Sequence, residues 1–263
     1  MLEISNLTVN SAEGKYLLKD VSLSLDQEAR ICLTGASGAG KSTLIRVIMG
    51  VGGNGLSVLS GDVQLDGKSI LNLTSRERRD LCGKTFGFIP QNSMTAFFSN
   101  VKIGKQISET YQTRLQISKK EAYQLARETL EKVNLRDADR VLNAYPSQLS
   151  GGMLQRIAMS MILGMKPRYI LADEPTSALD ISNRAHLIQL LMDYQEGGIL
   201  FISHDIEAIQ ELCLVTCVME NGEIIERQDT SQLFSTPQQE WTTKFVQAAE
   251  RNRTEAERWK RLW

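Results

Sequence analysis

The sequence has no excess of charge of either sign. Lysine and arginine total 30, aspartate and glutamate 31, for a formal net charge of -1. Without a global basic field, nucleic acid is excluded as the main partner. No apolar run approaches the length of a membrane span, and Met1-Leu2-Glu3 reads as the opening of a strand rather than of a signal peptide. The expectation is a soluble, cytosolic chain. Cysteine is scarce: Cys32, Cys82, Cys213 and Cys217 are the whole complement. Cys213 and Cys217 have half of a metal-site spacing, but no second Cys/His pair completes it, so reduced core thiols are expected. Internal repeats and low-complexity segments are absent as well. What remains is 263 residues with 42% hydrophobic content, enough for a full core in one large domain or two small ones.

The most informative stretch is Gly35-Ala36-Ser37-Gly38-Ala39-Gly40-Lys41-Ser42-Thr43. It fits G-x-x-x-x-G-K-[ST], the P-loop pattern. Successive backbone N–H groups must curl around a phosphate chain there, and side chains at the glycines would block the approach. Lys41 supplies a cation for the β- and γ-phosphates, and the Ser42 hydroxyl is placed to ligate Mg²⁺. The helix starting near Ser42 aims its N-terminus at the same anion. A buried strand at Arg30-Ile31-Cys32-Leu33-Thr34 and a helix at Leu44-Ile45-Arg46-Val47-Ile48-Met49 flank the loop, as the motif requires.

Around this loop the chain reads as α/β. Residues 2–10 and 16–25 alternate apolar and polar, predicting antiparallel strands joined by a turn at 11–14. Gly50-Val51-Gly52-Gly53-Asn54-Gly55 is a flexible break. Gly61-Asp62-Val63-Gln64-Leu65-Asp66-Gly67 predicts a short strand bounded by glycines, and Phe86-Gly87-Phe88-Ile89 another, ending at Pro90-Gln91. Residues 100–165 read as mostly helical. Ser118-Lys119-Lys120-Glu121 is a capping box, and Ala122, Leu125, Ala126, Thr129, Leu130 and Val133 follow on one face. Strands are then predicted at Tyr169-Ile170-Leu171-Ala172, at Ile199-Leu200-Phe201-Ile202 and over 214–219, with helices at about 181–195 and 205–212 between them. Asn221-Gly222 predicts a hairpin into Glu223-Ile224-Ile225, and a helical tail is expected after Pro237.

Two further segments carry chemistry. The apolar strand before Asp173-Glu174 is a Walker B pattern; Asp173 emerges at the carboxyl end of the sheet, where its carboxylate is expected to hold Mg²⁺. Glu174, one residue on, is the candidate general base for an attacking water. Leu149-Ser150-Gly151-Gly152-Met153 opens an apolar helix with a hydroxyl and free N–H groups, a second anion site. One P-loop already covers its own phosphates. The economical customer for the second site is the γ-phosphate held by another subunit, so dimerisation driven by ATP is expected.

With these motifs in hand, the chain resembles the ATPase subunits of ABC transporters over nearly all of residues 1–235. The resemblance adds Gln91 (Q-loop), Ser177-Ala178-Leu179-Asp180 (D-loop) and His204 in Ile202-Ser203-His204-Asp205 (H-loop). It implies a P-loop NTPase (RecA-like) core at about 1–91 and 166–235, an N-terminal antiparallel β subdomain, an inserted helical subdomain at about 92–165, and a tail at 236–263. It also implies that Gln91 touches Mg²⁺ or water and reports nucleotide state to the helical subdomain. His204 is implied to contact the γ-phosphate and orient the water with Glu174, and Asp180 to link two active sites. His186 is expected to be structural or exposed.

Tyr145-Pro146-Ser147-Gln148-Leu149-Ser150-Gly151-Gly152-Met153-Leu154-Gln155-Arg156 is similar to the oligopeptide/dipeptide/nickel importer ATPases, and Gln91-Asn92-Ser93-Met94-Thr95-Ala96-Phe97 to the nickel-import branch. Peptide-import relatives often carry a longer C-terminal extension with a cysteine cluster; here no cysteine follows Cys217. The resemblance therefore leans to nickel or a metal–metallophore complex as cargo, with peptides as the alternative. The implied partners are a similar but distinct second ATPase, two membrane permease subunits and an extracytoplasmic substrate-binding protein, at the cytoplasmic face of the membrane. The rival class is a soluble ABC ATPase of DNA repair or translation; neither a second nucleotide domain nor a long coiled-coil insert is present. A catalytically silent subunit is opposed by Glu174 and His204.

Three features depart from the family or leave alternatives open. The usual adenine-stacking aromatic after the first strand is missing, since Val9 is followed by Asn10 and Ser11; either Tyr16 substitutes from across the turn or adenine is held loosely. Phe98-Ser99 stands where relatives often have Asn-Pro, on a segment expected to face the membrane partner. In the tail, Trp241, Phe245, Trp259, Leu262 and Trp263 accompany bases Arg251, Arg253, Arg258, Lys260 and Arg261 and acids Glu250, Glu255 and Glu257. That composition suits a membrane-surface helix or one packed on its own domain or a sister subunit; the acids dilute the basic face and favour packing.

Overall fold

Four apolar stretches, each too short for a helix and each ended by a polar, glycine or proline residue, form the centre of the molecule. In the computed structural model, which describes residues 1–51 and 55–260, these are β3 (Arg30–Gly35), β6 (Phe86–Ile89), β7 (Tyr169–Asp173) and β8 (Gly198–Ile202). They pair in parallel, β6 with β7, β7 with β8 and β8 with β3. β9 (Val215–Glu220) adds in parallel to the other side of β3 and returns through a hairpin to β10 (Glu223–Asp229). Asn221 and Gly222 both take positive φ, as the tight turn requires. The sheet order is β10-β9-β3-β8-β7-β6.

Side chains alternate across this sheet, so it makes two cores. Cys32, Ile170, Ala172, Ile199 and Phe201 face one, with the helices; Ile31, Leu33, Tyr169, Leu171, Leu200 and Ile202 face the other. The second core holds α1 (Lys41–Met49) and a four-stranded antiparallel sheet of order β2-β1-β4-β5. Its strands are β1 (Leu2–Ser11), β2 (Tyr16–Leu25), β4 (Leu56–Leu65) and β5 (Lys68–Ser69). The strand expected between Gly61 and Gly67 instead starts at Leu56, because antiparallel pairing with β1 carries it through Gly61 at a register shift. A helix the pattern reading omits, α2 (Ser75–Leu81), is set by a Thr74/Glu77 capping box. Gly52, Gly53 and Asn54 of the predicted break lie outside the described residues.

Between β6 and β7 the chain is helical, as expected: α3 (Ile103–Leu115), α4 (Lys119–Lys132), α5 (Ala138–Asn143) and α6 (Gly151–Met165). The Ser118/Glu121 box forms, and Ala122, Ala126, Thr129, Leu130 and Val133 are buried while Leu125 is partly so. The remaining helices are α7 (Ile181–Met192), shorter than the span to 195, α8 (Ile206–Leu212), α9 (Thr230–Ser235) and α10 (Glu240–Lys260). Trp241 stacks on Phe245, which meets Phe234 and packs on the helix-side core. The tail expectations at Glu250, Arg253, Glu255, Glu257, Arg258, Trp259, Lys260, Arg261, Leu262 and Trp263 concern side chains outside the described residues. No described helix is long and apolar enough to cross a membrane.

Candidate functional site

Parallel strands send their carboxyl ends to one edge, so loops distant in sequence meet there. Four do so in lateral order: the loop after β3, His204 after β8, Asp173 and Glu174 at the end of β7, and Gln91 after β6.

The loop after β3 is built as a cradle. Gly38 and Gly40 have φ of +77° and +107°. A Cβ on Gly40 would lie 2.6 Å from the Leu17 carbonyl, whereas one on Gly38 would meet nothing within 4 Å and point into open space. The N–H groups of Gly38, Gly40, Lys41 and Ser42 meet no acceptor among the described residues. Gly40 caps α1 without a side-chain acceptor, and the first turn of α1 contains no acidic residue. Gly35, Ala36, Ser37, Ala39 and Thr43 complete the loop. Lys41 is buried and donates to the carbonyls of Gly35 (2.6 Å) and Ala36 (2.9 Å). Burial lowers its pKa, and the carboxylates of Glu174 and Asp173 partly offset this. An anion entering the cradle meets free N–H groups, a helix N-terminus and this ammonium.

Ser42, Gln91 and Asp173, from three separate segments, line one cleft of about 620 Å³ with Arg46, Pro90 and Asn92. A hydroxyl, an amide oxygen and one carboxylate are hard oxygen donors, and their small number suits Mg²⁺ completed by phosphate and water. That donor set fits the ion.

Glu174 adopts φ +46°, a left-handed conformation strained for a residue with a side chain, and its N–H donates to the Ile202 carbonyl at 2.9 Å. Its carboxylate accepts from Gln91 Nε2 at 2.6 Å and lies 3.3 Å from His204 Nε2. Burial lowers the His204 pKa, the Lys41 cation lowers it further, and Glu174 opposes both. The imidazole is therefore neutral at pH 7, able to donate from one nitrogen and accept at the other.

Ser150, Gly151, Gly152 and Asp180 do not join this cleft. Ser150 caps α6, its hydroxyl accepting from the Met153 N–H at 3.3 Å and keeping its own hydrogen to donate. A Cβ on Gly152 would sit 3.2 Å from the Ala178 carbonyl, so this helix start adjoins the Ser177-Ala178-Leu179-Asp180 turn. Asp180 caps α7, and the Asn183 N–H and amide hold its carboxyl below the usual range. His186 is structural, 2.6 Å from the Lys132 carbonyl. Tyr16 is exposed at the start of β2, next to the Leu17 carbonyl that underlies Gly40. Ser93 and Gln155, which the sequence shows only as members of the motifs 91–97 and 145–156 with no role of their own, form a buried pair at 2.5 Å behind Gln91.

A family model described as ABC transporter matches residues 18–177. The chain is 32% identical over 246 residues to the metal-staphylopine import system ATP-binding protein CntD of Staphylococcus aureus, covering 92% of this chain and 90% of that one. It is 34% identical over 230 residues to the nickel import system ATP-binding protein NikD of Staphylococcus aureus (86% and 87%). The dipeptide transport ATP-binding protein DppD of Lactococcus lactis is 32% identical over 249 residues (92% and 71%). Among solved structures, an ATP-binding cassette crystallised as a dimer in a post-hydrolysis state with ADP and phosphate superposes with TM-score 0.78 at 26% identity, over 88% of this chain and 99% of that chain.

Proposed function

The chain belongs to the ABC transporter family, as an ATP-hydrolysing importer subunit, and from that premise we propose how its residues do the work and what is moved. The observation that carries the assignment of roles is the convergence of Ser42, Gln91 and Asp173 in one cleft beside the Lys41 cradle. In this reading residues 35–43 hold the triphosphate of ATP, and Lys41 turns from its carbonyl partners to the β- and γ-phosphates. Mg²⁺, held by Ser42, Gln91 and Asp173, neutralises charge on those phosphates when bound. Glu174 orients the attacking water and accepts its proton, and His204 donates to the γ-phosphate. Tyr16 offers the adenine a stacking face.

Residues 1–235 form the nucleotide-binding domain, with the helical subdomain at about 92–165 and the tail at 236–263 following. Ser150, Gly151 and Gly152 serve the nucleotide of a second ATPase chain, and Asp180 links the two sites. ATP closes the pair, and closure levers two membrane permease subunits from the cytoplasmic face, with a substrate-binding protein delivering cargo outside. The cargo in this reading is nickel or a metal–metallophore complex, supported by the metal-import relatives and by the similarity of residues 91–97 to the nickel-import branch; peptides are the alternative, since dipeptide and oligopeptide import relatives match at similar identity.

Lys41→Ala tests the site directly. Losing charge-assisted hydrogen bonds to phosphate costs about 2–3 kcal/mol, roughly 30- to 150-fold in ATP Kd. Unchanged affinity by calorimetry overturns the cradle assignment. Uptake of labelled nickel against labelled dipeptide by the whole complex decides the cargo.

A further inference from the structure

We propose that Gln155 is a positioning residue that couples Gln91, in the chain's own nucleotide site, to Ser150, the group offered to the opposite site. The inference rests on the roles just proposed for those two residues. Its physical basis is a buried polar link belonging to neither site.

Ser93 begins the short 3₁₀ turn Ser93–Ala96, two residues after Gln91. Its hydroxyl donates to Gln155 Oε1 at 2.5 Å. The amide Nε2 of the same Gln155 donates to the Pro90 carbonyl at 3.4 Å, one residue before Gln91. One side chain thus holds the Gln91 turn from both ends. Ser93 and Gln155 are 3% and 1% exposed, so no water substitutes if the link breaks. Buried hydrogen bonds of this kind are directional and costly to leave unmade, which favours discrete arrangements over gradual slippage.

Gln155 is also an integral part of α6, five residues after the capping Ser150. That is roughly 7–8 Å along a helix, a rigid distance. Further along, α6 rests directly on β6: a Cβ on Gly87 would lie 2.6 Å from Ile162 Cγ2. The helix therefore has a close-packed support near its end and a polar link near its start. When Gln91 leaves Glu174 to meet a metal–phosphate group, Pro90 and Ser93 shift with it and carry the first turns of α6. Ser150 moves with them.

Hydrogen exchange of the full-length chain, with and without Mg-ATP, tests this. In the wild type, ATP changes exchange both around Gln91 and in the first turns of α6. In Gln155→Met the response around Gln91 persists and ATP Kd stays within about twofold, but the α6 response is lost. Ser93→Ala, which removes the other half of the link, gives the same result and carries the test if Gln155→Met does not fold. The double variant loses no more than either single one. Thermal midpoints are measured alongside; a merely structural residue would lower them without uncoupling the two segments. In the assembled complex, ATP-driven closure weakens by roughly 5- to 150-fold, the usual span of coupling between sites. Folded variants that bind ATP and keep a wild-type α6 response overturn the proposal, as does a wild type that binds ATP with no α6 response. A wild type that binds no ATP overturns the nucleotide-site roles themselves, a distinct result.

Discussion

Glu174 shows how much one side chain's setting decides. Its left-handed backbone turns the carboxylate toward Gln91 and His204 rather than along the line of β7. Glu174→Gln keeps the shape and the Gln91 contact but cannot take a proton. ATP affinity is expected to remain, while steady-state turnover falls roughly 10²- to 10⁴-fold, the usual contribution of a general base. Wild-type turnover in that variant removes Glu174 from the role. Tyr16 is the second residue to test. If its exposed ring is the adenine platform, Tyr16→Ala weakens ATP by about 1–3 kcal/mol, roughly 5- to 150-fold, and leaves inorganic triphosphate untouched. Equal losses for both ligands, or none, place the base elsewhere. The sequence supplied the identity of Glu174 through its place after an apolar strand. It supplied nothing about the positive φ, because glutamate has no special preference for that region.

Among the elements, α10 is held by a buried carboxylate. Glu226 on β10 is buried, and its carboxylate accepts from Thr242 Oγ1 (2.5 Å), the N–H groups of Gln238 (2.9 Å) and Gln239 (3.1 Å), and the Gln228 amide (2.6 Å). Burial alone would raise its pKa; these donors outweigh it and hold the carboxyl below its ordinary value. A lowered carboxyl pKa means the unfolded chain binds the proton first. The anchor's stabilisation is complete above about pH 4.5, the ordinary glutamate value, and is lost as pH falls through the lower folded value. Glu226→Gln should cost about 2–3 kcal/mol. That corresponds to roughly 2–4 °C in Tm per kcal/mol, with faster amide exchange in α10, and the variant should lose the acid sensitivity. Helix starts such as Ser118 were legible because a capping box is local. The Glu226 anchor was not, since three of its four donors lie 12 to 16 residues on and meet it only in the folded chain. β4 starts earlier than its glycine boundary implies for a related reason: pairing with β1 overrides the local break at Gly61.

For the whole molecule, the separation of Ser150 from the phosphate cleft is the decisive arrangement. Ser150→Asp separates its two duties. Aspartate caps helices as well as serine, so α6 and the thermal midpoint should be unchanged. A carboxylate facing a partner's γ-phosphate should repel it, abolishing ATP-driven pairing and lowering turnover of the complex at least about tenfold. ATP Kd of the isolated chain should hold. Light scattering with ATP on a Glu174→Gln background reads the pairing; full pairing by the aspartate variant shows that Ser150 does not face a nucleotide.

The sequence by itself determined the local elements and the chemical groups at their ends, because capping, side-chain period and glycine placement act within a few residues. It also marked Lys41, Ser42, Asp173 and Glu174 as candidates for phosphate and metal chemistry. Only the tertiary structure decided which groups meet. The lateral order β3-β8-β7-β6 arises from pairing between strands distant in sequence, and it brings Gln91 and His204 to Glu174. The Ser93–Gln155 link arises the same way, from two polar side chains that close-packing leaves with only each other and one carbonyl to satisfy.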